Sequence, residues 1–381
     1  MKKLIVVFFL ACACAGCGGE SEKSLSPPAE QTAKLFSQVR EELEPFDDAR
    51  GANAYAAGEY SVADMITYTF DERTVFEGGE DTKAALLEGG KNPGLSIRAL
   101  HEDGVIGAGV NAAIIGSPLL TKHSEYEGKI LAYNTIEPDD ADLSVPDGSA
   151  ASVLAGETTG VAPGVKFYYV SIPNDTADAT VAAKALDWIL SVNEYIDDAT
   201  RKIRVVALTR VTSGWENIDA WKAAKERAER DGIVTLEPDG MFWPCYYEPS
   251  APNNINLYAI GTPDKTSGEF GEQPENTLAA PVARRTLAGS ADRSFVYFGK
   301  GMFELSAAYA AGVVALGIQE YAEITSADAV DILTKSSYVT VNNETYLNPI
   351  EFVDNVRKKK EADEAAKSAE DAEGETASST E

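Results

Sequence analysis

From Leu305 to Tyr321 the chain runs through Ala307, Ala308, Ala310, Ala311, Gly312, Ala315 and Gly317 and presents no polar face. A helix without a polar face is a buried helix, so the surrounding sequence must supply the layers that cover it. It does so by alternation. Asn111-Ala-Ala-Ile-Ile115, Lys166 to Val170, Ile203 to Leu208, Ile233 to Leu236 and Leu257 to Ile260 are apolar runs of strand length. Between and after them lie helical patterns. Gly148 to Ala155 fits a short helix, and Val181, Ala185, Trp188, Ile189, Val192 and Ile196 recur at helical spacing. Trp215 to Asp231 reads as a helix stopped by Gly232. Ser326 is placed to cap a last amphipathic helix reaching about Ser336. Strands alternating with helices predict an α/β fold, doubly wound and mostly parallel, with helices on both faces of the sheet.

The chain has 381 residues, of which 44% are hydrophobic, enough for one large domain with tails. It opens Met1-Lys-Lys, continues with an apolar run from Leu4 to Ala15, and reaches Gly16-Cys17. A positive start, a short apolar stretch and small residues before a cysteine read as a secretory signal, too short to span a membrane. Ala15-Gly16-Cys17 resembles a bacterial lipobox, with Cys17 as the lipid-modified residue and Cys14 where leucine is usual. Cys12 is a weaker alternative site, and an ordinary signal peptide is the competing reading. With Cys17 lipidated, Cys12 and Cys14 leave with the signal and Cys245 is the one free thiol. No disulfide framework is then available, and stability must come from the core. Cys245, within Phe242-Trp-Pro-Cys-Tyr-Tyr247, reads as a small buried hydrophobe. The formal net charge is −28, and removing residues 1–16 takes away two lysines and no acid, leaving −30. Such a surface repels nucleic acid and anionic head groups. It suits a domain held at the bacterial cell envelope by a lipid, with the membrane as a partner through that lipid and no nucleic acid.

The expected divisions are a signal over 1–17, a polar tether and N-terminal extension over 18–67, a domain over 68–340, a C-terminal extension over 341–356 and a charged tail over 357–381. Ser-Leu-Ser-Pro-Pro at 24–28 marks the tether, with a short helix expected over 34–43. The tail lacks aromatic residues and reads as a solvated helix or a disordered segment. No internal repeat is visible.

Asp147-Gly-Ser-Ala-Ala-Ser-Val-Leu-Ala-Gly156 leads through Gly160-Val-Ala-Pro-Gly into Val165-Lys-Phe-Tyr-Tyr-Val170. It resembles the histidine motif of subtilisin-like serine proteases, with Asp147 where the histidine belongs. Other segments extend the resemblance over about residues 68 to 340. Gly90-Lys-Asn-Pro-Gly-Leu-Ser-Ile-Arg-Ala-Leu-His-Glu-Asp-Gly104 resembles an entry segment of one bacterial branch. Val110-Asn-Ala-Ala-Ile-Ile-Gly-Ser-Pro-Leu-Leu-Thr-Lys-His-Ser-Glu-Tyr126 resembles its aspartate motif, with Gly116 at the aspartate position. Gly232-Ile-Val-Thr-Leu236 resembles the strand towards the oxyanion loop, and Ala280 to Ala288 the segment before the serine motif. Gly301-Met-Phe-Glu-Leu-Ser-Ala-Ala-Tyr-Ala-Ala-Gly312 follows the pattern Gly-Gly-x-Ser-x-x-x-Pro-Tyr-x-Ala-Gly without gaps. Glu304 then stands at the nucleophile position and Ala308 at the proline. The resemblance implies a subtilisin-like sheet and, by family, a serine endopeptidase.

The residues speak against that activity. A serine hydroxyl needs an imidazole to take its proton, and the imidazole needs a carboxylate to fix its tautomer. Gly116, Asp147 and Glu304 supply none of these parts, so the triad is degenerate and no catalytic residue is intact. The chain's two histidines, His101 and His123, fall in the entry helix and in a segment resembling a structural turn. Ser149, Ser152 and Ser306 lie near the vacated positions but without a partner base they read as packing or capping residues. No asparagine stands at Pro238-Asp239-Gly240, where the oxyanion residue would fall. Two carboxylates, Asp147 and Glu304, would meet at the head of one groove. They admit three readings: drift, binding of a cation or cationic ligand, and carboxylate acid–base hydrolysis. Calcium sites are common in the family, but the sequence assigns no ligands for one, no other metal site and no cofactor. The leading expectation is a lipid-anchored pseudoprotease that binds peptides or a protein partner in the ancestral substrate groove. The alternatives are a peptide hydrolase working through non-standard residues, and a structural surface lipoprotein.

Overall fold

The computed structural model describes residues 43–51, 53–54, 61–136, 148–261 and 273–378. Cys17, the expected helix over 34–43 apart from Leu43, and Asp147 lie outside the described residues. All described residues belong to one compact unit. In chain order, β1 (Thr69–Asp71), α1 (Glu80–Gly89) and α2 (Ile97–Glu102) lead into β2 (Asn111–Gly116) and β3 (Ile130–Thr135). Next come α3 (Ser149–Ala155), β4 (Lys166–Ser171), α4 (Ala179–Glu194), β5 (Ile203–Leu208), α5 (Ile218–Arg230) and β6 (Val234–Leu236). Five further strands follow: β7 (Phe242–Tyr247), β8 (Tyr258–Ile260), β9 (Leu278–Pro281), β10 (Arg285–Ala288) and β11 (Phe295–Phe298). The chain ends with α6 (Leu305–Glu320), α7 (Ser326–Lys335), β12 (Tyr338–Val339), β13 (Thr345–Tyr346) and α8 (Pro349–Ser378).

Strands β2 to β6 form one parallel sheet in the order β3-β4-β2-β5-β6. The chain enters at the central strand, winds to one edge and then to the other, so the sheet is doubly wound. Its strands are apolar on both faces because both are covered. Ala112, Ile114, Phe167, Tyr169, Val205 and Ala207 pack with α3 and α6 on one side. Ala113, Ile115, Val170, Val206 and Leu208 pack with α4 and α5 on the other. A second sheet runs β8-β7-β9-β13-β12, and β10, β11 and β1 form a third, antiparallel one.

Every residue of α6 from Leu305 to Ile318 is buried, as its composition requires. Its small residues let neighbours come close: a Cβ at Gly312 would lie 2.6 Å from Val161 Cβ. At its C-terminal end the Gln319 carboxamide accepts the N–H groups of Ile106 and Ala108, both at 2.9 Å, and donates to Gly104 O at 2.9 Å. Those residues precede β2, so α6 runs antiparallel to β2 and its N-terminus lies where β2 ends. Helix α3 is oriented likewise, since Gly164, beyond its C-terminal end, donates to Ile106 O at 2.6 Å.

Helix α5 starts at Ile218 rather than Trp215, because Asn217 takes a left-handed φ of +53° and donates its amide to Asp178 at 3.1 Å. It ends as expected at Gly232 (φ +77°), with Ile233 N–H bonded to Ala228 O and Gly232 N–H to Glu229 O, both at 2.9 Å. The last amphipathic helix is capped by Thr325 and not by Ser326. Thr325 has the extended backbone of a cap (ψ 157°), and its hydroxyl accepts Asp328 N–H at 3.0 Å. Helix α8 runs unbroken across residue 357. Phe352, Val353 and Val356 are buried under it, and Arg357 bonds Glu320 at 2.8 Å.

Replacing Gly312 by valine forces a branched side chain into Val161. Over-packing of this kind costs about 1–3 kcal/mol, and the expected outcome is a lower urea midpoint with an unchanged slope, read by tryptophan fluorescence.

Candidate functional site

The opposed directions of α6 and α3 relative to β2 bring Gly116, Gly148 and Glu304 to the same end of the parallel sheet. Gly116 is the last residue of β2 and is buried. A Cβ built there would sit 2.4 Å from Thr209 Oγ1 and 2.9 Å from Tyr169 Oη. Neither group is idle. The Tyr169 hydroxyl donates to Ser117 O at 2.7 Å. Thr209 donates its N–H and its hydroxyl to Ile115 O at 2.8 and 3.2 Å. Tyr133 stacks on Tyr169 with centroids 5.8 Å apart and planes 7° from parallel. The space a carboxylate would need at this strand end is thus filled by a tyrosine and a threonine from β4 and the end of β5.

Glu304 is half-buried and directly precedes α6, in helical conformation (φ −56°, ψ −26°), and its side chain makes no capping bond. A carboxylate there faces the positive end of the helix, a favourable placement. The loop before it is tight: a Cβ at Gly301 (φ +79°) would lie 2.5 Å from Ala283 Cα. Met302 occupies the place of the motif's second glycine. Two residues on, Ser306 is fully buried, and its hydroxyl has no hydrogen-bond partner among the described residues. Asp147 lies outside the described residues. Its neighbour Gly148 is buried, and a Cβ on it would meet Tyr126 Oη at 2.5 Å.

The other sequence candidates are structural. His123 is fully buried; one ring nitrogen, Nε2, faces Ser294 O at 2.8 Å, and the other, Nδ1, accepts Glu125 N–H at 3.2 Å. A carbonyl can only accept and an amide can only donate, so Nε2 carries the proton and Nδ1 is bare. Both nitrogens are committed. His101 Nε2 lies 2.8 Å from Val161 O, and burial holds its pKa below the usual histidine value. Ser152 Oγ accepts Ala288 N–H at 3.0 Å and lies 2.6 Å from Thr159 Oγ1. Ser149 is buried at the start of α3. Beyond β6, Asp239 accepts bonds from Ser213 N–H at 3.0 Å, from the Thr212 hydroxyl at 3.0 Å and from Thr212 N–H. It holds the loop after β5 and presents no amide donor to a reacting carbonyl. Among the described residues no group of three or more His, Cys, Asp or Glu side chains is placed to hold a metal ion.

Two buried charges escaped the sequence reading. Glu125 takes the N–H and hydroxyl of both Thr158 and Thr159, at 2.7 to 3.0 Å. Arg285, with no exposure, donates to Thr159 O at 2.7 Å, Gly90 O at 3.2 Å and Pro281 O at 3.3 Å. Thr159 thus links the two charges, and Arg285 ties α1's exit, the end of β9 and the segment after α3 together. An arginine flanked by Ala283 and Leu287 is the one sequence signal that could have marked it.

No family model matches the chain, and no curated protein matches it. Among solved structures, one similar chain is titled "Crystal structure of a cold adapted subtilisin-like serine proteinase". It shares 17% identity at a TM-score of 0.46, covering 64% of this chain and 88% of that one. A likeness of that size carries no argument, and the doubly wound parallel sheet stands on its own geometry. No helix among the described residues is long and apolar enough to cross a membrane.

Cys245 is fully buried, and desolvation pushes its thiol well above the usual cysteine pKa. With Cys12, Cys14 and Cys17 replaced by serine, the folded protein is expected to resist an aromatic disulfide reagent at pH 8. In urea the thiol should react at the rate of unfolding, and rapid labelling of the native state would show that this core opens.

Proposed function

We propose that this chain is a subtilase-like domain without serine-protease turnover, exported, anchored by a lipid on Cys17, and binding peptides or a protein partner. The observation that carries the reading is the filled strand end at Gly116. A triad needs a carboxylate there to orient its histidine, and Tyr169 and Thr209 occupy that space, each bonded elsewhere. Glu304 at the start of α6 adds a second argument, because a carboxylate cannot act as the hydroxyl nucleophile of acyl transfer. The order of the subtilase-like motifs along the chain supports the ancestry, and fold alone does not transfer activity.

The test is chemical. A fluorophosphonate should leave the protein unlabelled, and a mixed peptide library should remain intact from pH 4 to 8, with or without calcium. Cleavage that vanishes in Asp147→Asn/Glu304→Gln would overturn the proposal in favour of a site rebuilt on carboxylates. The restored triad Gly116→Asp/Asp147→His/Glu304→Ser should also stay inactive. Gly116→Asp alone should cost about 1–3 kcal/mol of stability by over-packing, read from urea unfolding.

Anchoring has its own readout. Cys17→Ser should abolish incorporation of labelled fatty acid and release the protein from the membrane fraction of a bacterial host. Unchanged incorporation would move the lipid to another cysteine or exclude it.

A further inference from the structure

A cavity of about 270 Å³ is lined in part by Glu88, Lys91, Asn92, Arg98, Pro249 and Pro252. Thr158 also lines it, and Thr158 lies just past the C-terminal end of α3, whereas Gly148 stands at the other end. The helix has seven residues, so about 10 Å of helix separates the two places.

The charges in this cavity do not balance. Lys91 is paired with Glu88 at 2.7 Å and lies over the Phe295 ring at 4.7 Å. Arg98 donates one N–H to Thr158 O and has no carboxylate within ion-pair distance among the described residues, although the Glu125 and Glu88 carboxylates attract it from farther off. Burial, and next the Arg285 guanidinium, hold its pKa below the usual arginine range. Behind it, Glu125 and Arg285 offset each other through Thr159. The lining therefore carries one more positive than negative charge, on a chain whose net charge is −28. Asn92 adds a donor: its carbonyl oxygen accepts Gly94 N–H at 2.9 Å, which leaves its amide NH₂ with no partner among the described residues. Pro249 and Pro252 have no N–H and offer an apolar wall. Pro252 is held by Tyr258, whose hydroxyl donates to its carbonyl at 2.6 Å.

We infer that this cavity is a binding site for a singly charged carboxylate, held by the Arg98 fork and the Asn92 amide with its hydrocarbon part against the prolines. A planar carboxylate matches the guanidinium fork. One excess positive charge suits a monoanion rather than a phosphate dianion. The volume admits a small organic acid or one C-terminal residue of a peptide, below the usual range for drug-sized ligands. The cavity's lining shares no residue with Gly116 or Glu304, so its test is independent of the function proposed above.

The experiment titrates the full chain at constant ionic strength with four probes: propionate, acetyl-Gly-Gly-Phe as free acid, the same peptide as amide, and inorganic phosphate. Heat of binding is the readout. Saturable binding of the carboxylates but not of the amide is expected, with Arg98→Met raising Kd about tenfold or more. If Arg98→Met does not fold, Lys91→Met is the second variant, expected to weaken binding by removing the other cation. A free-acid peptide that outcompetes propionate identifies a peptide terminus as the source, and the reverse order identifies a small metabolite; both support the site. Absence of saturation, equal binding of the amide, phosphate binding tighter than both carboxylates, or unchanged Kd in the folded variants overturns it.

Discussion

The complete burial of α6 is the constraint on which the remaining architecture depends. A helix with no polar face must be enclosed, and here the parallel sheet, α3, the second sheet and α8 do so together. Close approach is what its alanines and glycines permit, as at Gly312 against Val161 and Gly317 against Phe352. The Gln319 carboxamide then fixes the helix lengthwise, by bonding three backbone groups on the way into β2. Residue 304 is where it is because the core places the start of α6 beside the end of β2.

The parts of the fold that were legible are those with one environment along their length. The central strands β2, β4 and β5 are apolar on both faces, and α6 is apolar all round, so composition alone marks them. Strand β3 was not legible, because as an edge strand it alternates half-buried and exposed residues and keeps Leu131 and Tyr133 partly in solvent. Strand β7 carries Pro244 and two tyrosines and reads as a loop until β9 pairs beside it. At α7 both Thr325 and Ser326 are cap-competent residues, and only the backbone conformation separates them. Positions 116, 147 and 304 were legible as a candidate site from the motifs along the chain. Its closure was not, because Thr209 and Tyr169 come from strands far away in sequence and nothing local to Gly116 announces them.

The polar residues that the sequence offered as candidates are drawn into structure. His123 bridges Ser294 and Glu125, Ser152 joins β10 to the segment after α3, and Asp239 gathers the loop after β5. Buried polar groups are costly unless bonded, and these pairings satisfy them without any substrate. The Ser306 hydroxyl is the exception, a buried group lacking a partner within the first turns of α6.

Of positions 116 and 304, 116 is the more constrained. A change from glutamate to serine at 304 asks only for a smaller side chain at a half-buried helix start. A change from glycine to aspartate at 116 asks for space already taken by two side chains, each with its own carbonyl partner. A carboxylate placed there would push the two hydroxyls off their carbonyl partners or become their acceptor in turn, and in either case both side chains must shift. The same carboxylate would also have to be desolvated before any histidine stood near enough to compensate it. Packing as well as residue identity thus sets Gly116 apart at this strand end.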